Sequence, residues 1–301
     1  MPRRALVVIN PAANHGKAVT LVPVAAELLE GCFPHDIVLT DGPAHAKSLA
    51  GEARRYDTVI AMGGDGTVHE VLNGLMEHAP ESRPALAVLP TGSGNDYCNT
   101  LGISKDLAQA ILQVSSGVRT HVDVGTCNGT YYANSLAIGI DAQMTAKAAE
   151  LKATTGRTGL RLYLSALMHV LMHEYRDYEV RIRFDDDAPA VRAIELIAMT
   201  HGPTYGGGFA ITPGAVPDDG LIDVCLIDAV PRWQALVRFP FVIPGKHAWM
   251  RPVHMSRHRH LRIESDVPIP AQIDGEVIVD DRFEVGILHA ALDVVVPRED
   301  S

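Results

Sequence analysis

Up to residue 120, short apolar runs alternate with segments whose apolar residues recur every three or four positions. The runs ALVVIN, DIVLT, TVIAM and LAVLP read as buried strands. The segments that follow them, a stretch from about Gly16, AHAKSLAGEARR, Val68 to Met76, and Leu107 to Val114, read as helices. This alternation predicts a parallel sheet covered by helices, in which ligands bind beyond the carboxyl ends of the strands. From about residue 121 the pattern changes. HVDVGTC and TYYANSLAI flank Asn128-Gly129, which supplies the positive φ angles of a type I′ turn, and YEVRIRF and VRAIELIAMT flank the polar turn DDDAP, so two hairpins are predicted. LIDVCLI, AQIDGEVIV and ALDVVV read as further strands, with helical candidates at LRLYLSALMHVLMHEY and near RWQALVRF. The expected fold class is α/β plus all-β, with an N-terminal three-layer doubly wound α/β domain over 1–122, completed by the tail 290–301, and a C-terminal antiparallel β-sandwich domain over 123–289.

The strand TVIAM runs into Gly-Gly-Asp-Gly at 63–66 and then into a helical pattern. Thr67 and Glu70 stand three apart there, the spacing of a capping box, which predicts the helix start. A helix N-terminus beside a bare backbone is a ready site for an anion such as phosphate. Both the P-loop pattern and the dinucleotide fingerprint fail, the latter because His69 stands where glycine is required. A tight turn is the plainer reading of Gly-Gly-Asp-Gly alone. Two further loops follow strands at the same predicted edge: TGSGNDYCN at 91–99 and PAANHGK after ALVVIN. Together Asn10, Asp65, Ser93, Asn95 and Asp96 form a polar rim on which a nucleotide could lie.

Composition narrows the classes. With 47% hydrophobic and 21% charged residues the 301-residue chain is ordinary for a globular protein of roughly two domains. A net charge of -10 argues against broad nucleic-acid binding, which needs a cationic surface. Cys32, Cys98, Cys127 and Cys225 lie far apart with no CxxC, so neither a zinc site nor a disulfide framework is indicated. No signal peptide and no apolar stretch approaching ~18 residues is found, which leads to the expectation of a cytoplasmic chain without a membrane span. His169 and His173 share an i, i+4 spacing, but Val170 breaks the H-E-x-x-H pattern. Asn128-Gly129-Thr130 matches a glycosylation sequon and is better read as turn chemistry.

Asn10-Pro11, GGDGT at 63–67 with Glu70 and Asn73, P-x-G-[ST]-G-N-D at 90–96, PDDGLIDV at 217–224 and IDGE at 273–276 occur in this order. In that set the chain resembles the diacylglycerol kinase catalytic domain family, which includes bacterial lipid kinases and the sphingosine and ceramide kinases. GGDGT alone is shared with NAD kinases. The resemblance implies the NAD kinase/diacylglycerol kinase type of fold and transfer of the γ-phosphoryl group of ATP to a lipid hydroxyl. It implies a phosphate cradle of Gly63, Gly64, Gly66 and Thr67 with Asn10, Thr40, Glu70, Ser93 and Asn95 as further nucleotide-binding residues. It also implies Asp65 and Asp96 as carboxylates holding Mg²⁺, and Glu276 as general base. A second, structural Mg²⁺ is implied on Asp219 with the main chain of Val216 and Leu221, although PDDGL also reads as a plain turn. The first loop departs from the family pattern in carrying Asn14 before Gly16-Lys17, which bears on phosphate contact by Lys17.

Between Asp228 and Glu264 there is no acidic residue, whereas Arg232, Arg238, Lys246, Arg251, Arg257, Arg259 and Arg262 and both tryptophans, Trp233 and Trp249, lie there. Basic residues with interfacial tryptophan suit an anionic membrane surface visited reversibly through residues 232–262, from the cytoplasm at the inner face of the membrane. A solvated basic face is the plainer reading. The expected partners are a lipid alcohol substrate and that surface, without nucleic acid; a homodimer is left open. The alternatives are an NAD kinase-like small-molecule kinase, against which the absence of any Asn-Glu dipeptide counts, and a non-catalytic lipid-binding protein on the same fold.

Overall fold

The structure, a computed structural model, describes residues 4–13, 16, 18–92, 94–155 and 159–298. The chain divides into two compact units, Met1–Val124 with Ala290–Ser301, and Gly125–His289.

In the first unit, β1 (Ala5–Ile9), β2 (His35–Leu39), β3 (Thr58–Gly63) and β4 (Ala85–Pro90) pair in parallel in the order β2-β1-β3-β4. Every residue of β1, β3 and β4 is buried, which requires cover on both faces because successive side chains alternate. Helices α1 (Ala18–Glu30) and α5 (Leu107–Ser116) pack together, as do α2 (His45–Gly51) and α3 (Asp65–Leu75). The short α4 (Asp96–Thr100) precedes α5, whose start is capped by Asp106 accepting the Gln109 N–H at 2.9 Å. Strand β5 (Val118–Cys127) leaves this unit and β13 (Glu276–Val296) returns to it. The returning tail sets Val294 beside Leu86 in parallel, and the Ala290 N–H bonds the Asp123 carboxylate at 2.8 Å.

The second unit is antiparallel. Asn128 and Gly129, at φ 48° and 85°, turn β5 into β6 (Thr130–Tyr132), and β8 (Tyr178–Phe184) pairs with β9 (Ala190–Thr200), so both predicted hairpins are present. Strands β7 (Ser135–Gly139), β10 (Ile222–Asp228), β11 (Val253–His258) and β12 (His260–Ile273) complete it. One core, with Tyr132, Ile263 and Phe283 at its centre, lies on one side of these strands. A second forms against α6 (Ile140–Thr155), α7 (Gly159–His169) with its following π turn Val170–Glu174, and α8 (Arg232–Arg238).

Three expectations need correction. The helix α6 was not expected, because its alanine-rich sequence has no apolar stripe. AQIDGEVIV is two strands, not one: Asp274 and Gly275, at φ 48° and 94°, form the tight turn between β12 and β13. The basic segment is not one surface element, because its second half enters the sheet as β11 and β12. No helix among the described residues is long and apolar enough to cross a membrane.

Candidate functional site

In the first unit the strand ends of β1, β2, β3 and β4 bring Asn10, Thr40, Gly63-Gly64 and Thr91-Gly92 to one edge. The loops there are locked to one another through the main chain. Gly63 O accepts the N–H groups of Thr91 and Gly92 at 2.9 and 3.0 Å, and the Asn10 side-chain amide donates to Thr67 Oγ1 at 3.1 Å. A Cβ on Gly63 would lie 2.2 Å from Thr67 Oγ1, and one on Gly92 would lie 2.4 Å from the Gly64 Cα. Gly92 is therefore required first for packing of one loop on the other, and Gly63 for the close approach of Thr67 in the helix that follows, reasons that spacing along the chain does not reveal.

The capping box is absent. Helix α3 begins three residues earlier than expected, at Asp65, with Gly64 as its N-cap and no side-chain cap. Glu70 instead accepts the N–H groups of Ala44 at 2.9 Å and Ala46 at 3.1 Å, capping α2, whose N-cap Ala44 is held at φ 63°. Its carboxylate is thus committed to the scaffold, not to a nucleotide. Asn95 is similarly engaged, its side chain pairing with both the N–H and the carbonyl of Gly92 at 3.1 and 2.9 Å. Ser93, Asn14 and Lys17 lie outside the described residues.

Asp65 stands at the centre of this edge. Its Oδ1 accepts the Asp96 N–H at 2.8 Å and its Oδ2 accepts the Asn95 N–H at 2.9 Å, so the carboxylate caps α4 from across the sheet. Oδ1 also receives the Tyr97 N–H at 3.4 Å. A Cβ on Gly94 would lie 2.7 Å from Asp65 Oδ2 and 3.8 Å from Asp96 Oδ2, so both carboxylates face a space that only glycine leaves open. Two carboxylates are the kind of donor set that Mg²⁺ takes, since the ion binds through one or two carboxylates and keeps much of its water. The local field is negative: burial first, and then the charge of Asp65, push the Cys98 thiol up to about 12. Lys105, whose ammonium approaches the Gly94 carbonyl at 3.4 Å, is the nearby cation missed in the sequence; it lies just beyond the quoted motif.

In the second unit Glu276 is the exposed first residue of β13. The turn before it is rigid. Asp274 accepts the N–H groups of Ala133, Asn134 and Ser135 at 2.8, 2.9 and 3.0 Å, and Gln272 Oε1 accepts the Gly275 N–H at 2.7 Å.

The loop carrying Asp219 does not fit a structural metal. Asp219 Oδ1 accepts the Leu221 N–H at 3.0 Å, an Asx turn, and its Oδ2 lies 3.6 Å from the Arg257 guanidinium. Arg257 also donates to Asp223 Oδ1 at 3.0 Å and to the Gly214 carbonyl at 2.8 Å. The guanidinium supplies the positive charge, so the assignment of a metal to Asp219, Val216 and Leu221 is not carried forward. Among the described residues no group of three or more His, Cys, Asp or Glu forms a metal cage.

The second unit also holds an apolar cavity, partly open to solvent, between the strands and the helical segments. Ile140, Met144, Leu167, Leu196 and Phe209 line it, with Asp141, Glu195, Arg238 and His247 among them. The register of β9 against β10 slips here, since Ile227 faces Leu196 while Asp228 faces Ile194, leaving Glu195 as the extra residue of a bulge. A bulge breaks the strict alternation of faces, which is why adjacent Glu195 and Leu196 both line the cavity. Burial pushes the Glu195 carboxyl up to about 7, against the opposing pull of Tyr175 and Arg238. The single proton of the Tyr175 hydroxyl has the Val230 carbonyl at 2.5 Å and Glu195 Oε2 at 3.2 Å. The nearer oxygen can only accept, so protonated Glu195 satisfies all three groups best. A lone carboxylate in the apolar run AIELIAM was the signal for it in the sequence.

The Diacylglycerol kinase catalytic domain model matches residues 4–127, and the YegS C-terminal NAD kinase beta sandwich-like domain model matches residues 134–296. The protein named "Probable lipid kinase YegS-like" of Chromohalobacter salexigens is 32% identical over 260 residues, 85% of this chain and 79% of that one. A diacylglycerol kinase of Bacillus subtilis is 28% identical over 267 residues, 85% of this chain and 86% of its own length. The crystal structure of a diacylglycerol kinase from Bacillus anthracis str. Sterne superposes with a TM-score of 0.77 at 21% identity, covering 99% and 98% of the two chains. An NAD kinase from Archaeoglobus fulgidus in complex with ATP shares the fold at a TM-score of 0.52 and 15% identity, over 99% and 94%. The chain belongs to the diacylglycerol kinase catalytic domain family, with its nucleotide-type α/β unit and a YegS-type β-sandwich-like unit.

Proposed function

We propose that this lipid kinase transfers the γ-phosphoryl group of ATP to the hydroxyl of diacylglycerol or a similar lipid alcohol, giving phosphatidic acid from diacylglycerol. The observation that carries the reading is the convergence of Asp65 and Asp96 on the open space beside Gly94, at strand ends crowded with main-chain N–H groups. Phosphoryl transfer asks a protein mainly for positioning and charge stabilisation. Mg²⁺ would be held there through water by Asp65 and Asp96, and when bound it neutralises phosphate charge. Asn10, Thr40, Gly63, Gly64, Gly66 and Thr67 shape the phosphate side, with Lys105 as an added cation; Glu70 and Asn95 hold the loops in place.

Glu276 takes the proton of the acceptor hydroxyl as the oxygen attacks phosphorus. Its place directly after a turn fixed by Asp274 supports this, because a base must be held within hydrogen-bond reach of its proton. Glu276→Gln should lower kcat by roughly 100-fold or more, in line with the usual worth of a general base, and leave ATP affinity nearly unchanged. Equal loss of turnover and ATP affinity would remove this role. A reversible visit to an anionic membrane surface completes the reading. The cations available for it are fewer than the seven in the segment, because Arg257 is tied to Asp223 and Arg262 to Glu264 at 2.8 Å.

A further inference from the structure

The turn that presents Glu276 rests on a part of the chain that is itself irregular. Asp274 accepts the N–H groups of Ala133, Asn134 and Ser135, and its own N–H donates to the Ser135 carbonyl at 2.8 Å. Ala133 and Asn134 are the link between β6 and β7, outside both strands, so strand pairing does not fix their conformation. Asn134 does. Its side-chain amide donates to the Thr204 carbonyl at 3.1 Å, and its own carbonyl accepts the His201 N–H at 3.0 Å. Asn134 is 5% exposed, and a buried amide stripped of its partner costs more than the bond itself contributes.

The segment that Asn134 grips is braced in turn. Residues 201–212 leave β9 and carry Gly206, Gly207 and Gly208 at φ 64°, 82° and 107°. Three successive glycines give a loop no stiffness of its own, so its shape comes from the bonds at its ends. Thr200 and Thr212 pair through their hydroxyls at 2.5 Å, and Thr212 donates to the Gly202 carbonyl at 3.1 Å. Tyr205 and Phe209 exchange main-chain bonds at 3.1 and 2.9 Å, and both rings are rooted in the core against α6, α7 and α8. Asn134 is thus a junction: its main-chain N–H meets the base-bearing turn, and its side chain and carbonyl meet the braced segment.

A base must stand within hydrogen-bond reach of the proton it takes. Glu276 pairs with Ile273 to close the β12–β13 hairpin, so a tilt of the turn carries the carboxylate with it. Resting on the reading of Glu276 as general base, we propose that Asn134 is a positioning residue for phosphoryl transfer: it locks the Asp274-Gly275 turn to residues 201–204 and so fixes where the Glu276 carboxylate stands. Asn134 acts through Asp274 and touches no reactant.

A double-mutant cycle with dioctanoylglycerol and Mg²⁺-ATP tests this. Asn134→Ala should lower kcat roughly 10- to 100-fold and keep the KM for ATP within about twofold, because misplacing a reacting group by about 1 Å costs on that order. In Glu276→Gln, where no carboxylate is left to place, the same change should cost less than about twofold, since residues that act as a unit are not additive. Amide exchange should quicken at Ala133 and Ser135, whose N–H groups bond Asp274. Asn134→Ser, too short to reach Thr204, keeps a polar group at the junction and should repeat the pattern even where the alanine variant does not fold. Equal losses of kcat in both backgrounds, or a folded Asn134 variant with full activity, would overturn the proposal. If the native chain phosphorylated no lipid, the kinase reading would fall, whereas the lock would stand on quickened exchange at Ala133 and Ser135 and fall on unchanged exchange.

Discussion

Replacing Glu195 by Gln should change how stability depends on pH more than it changes stability at any one acidic pH. Glu195 is 9% exposed in the cavity wall, and its carboxyl is raised from 4.5 to about 7, chiefly by burial. A carboxyl raised on folding stabilises the fold fully below its unfolded value, and that contribution is lost as the pH rises through the folded value. The window is therefore from about 4.5 to about 7. The shift corresponds to about 3 kcal/mol over that window. Glutamine keeps the shape, and its amide can donate to the Tyr175 hydroxyl as the protonated acid does. The neighbours facing Glu195, namely Asp141, Arg238, His247 and Tyr175, are common to both proteins, and the difference between them isolates the one carboxyl. Urea unfolding followed by tryptophan fluorescence, which reports the second unit, would be run from pH 4.5 to 8. The stability of E195Q relative to the native chain should rise by about 3 kcal/mol across the series, roughly 1 to 2 M in urea midpoint. A gap between the two that stays constant within ~0.5 kcal/mol would refute the reasoning, because the cavity would then hold an ordinary ionised carboxylate.

Other perturbations separate scaffold from chemistry. Gly92→Ala should destabilise the first unit by about 1–3 kcal/mol and abolish nucleotide binding, read by calorimetric titration, since the added carbon would lie 2.4 Å from the Gly64 Cα. Unimpaired nucleotide binding in that variant would show that the two loops need not touch. Asp65→Asn should weaken Mg²⁺-ATP binding and also loosen α4, seen as faster amide exchange at Asp96, because the same carboxylate caps that helix; unchanged exchange would contradict the cap. Chelation by EDTA should leave the melting of the ligand-free chain unchanged, whereas Arg257→Met should lower it by leaving the buried Asp223 carboxylate without its cation. A melting midpoint that falls with EDTA would restore a metal to the Asp219 loop.

Much of this architecture was legible because local signals and tertiary outcome agree. The four parallel strands are continuous apolar runs since both their faces are covered, and Asn128-Gly129 forces its hairpin by φ angles that few other pairs adopt. Asp274-Gly275 carries the same kind of signal, yet the apolar residues on either side let it pass for one strand. The misread features depend on partners distant in the chain. Glu70 satisfies Ala44 and Ala46, more than twenty residues earlier, so a capping spacing with Thr67 was a coincidence of sequence. The glycines of the two loops answer to each other, not only to a ligand. Arg257 and Arg262 look like membrane-facing charge until the strands pair them with Asp223 and Glu264. Glu195 acquires its position from a register slip that no periodicity predicts.

The central claim is that Asp65 and Asp96 steer the terminal phosphoryl group of ATP onto a lipid alcohol. Incubation with γ-labelled ATP, Mg²⁺ and a panel of diacylglycerol, phosphatidylglycerol, sphingosine, ceramide and NAD measures it most directly. Label should appear in a lipid product, with diacylglycerol converted to phosphatidic acid, and should vanish in Asp96→Asn. Label found only in NADP, or ADP released with no phosphorylated lipid, would contradict it.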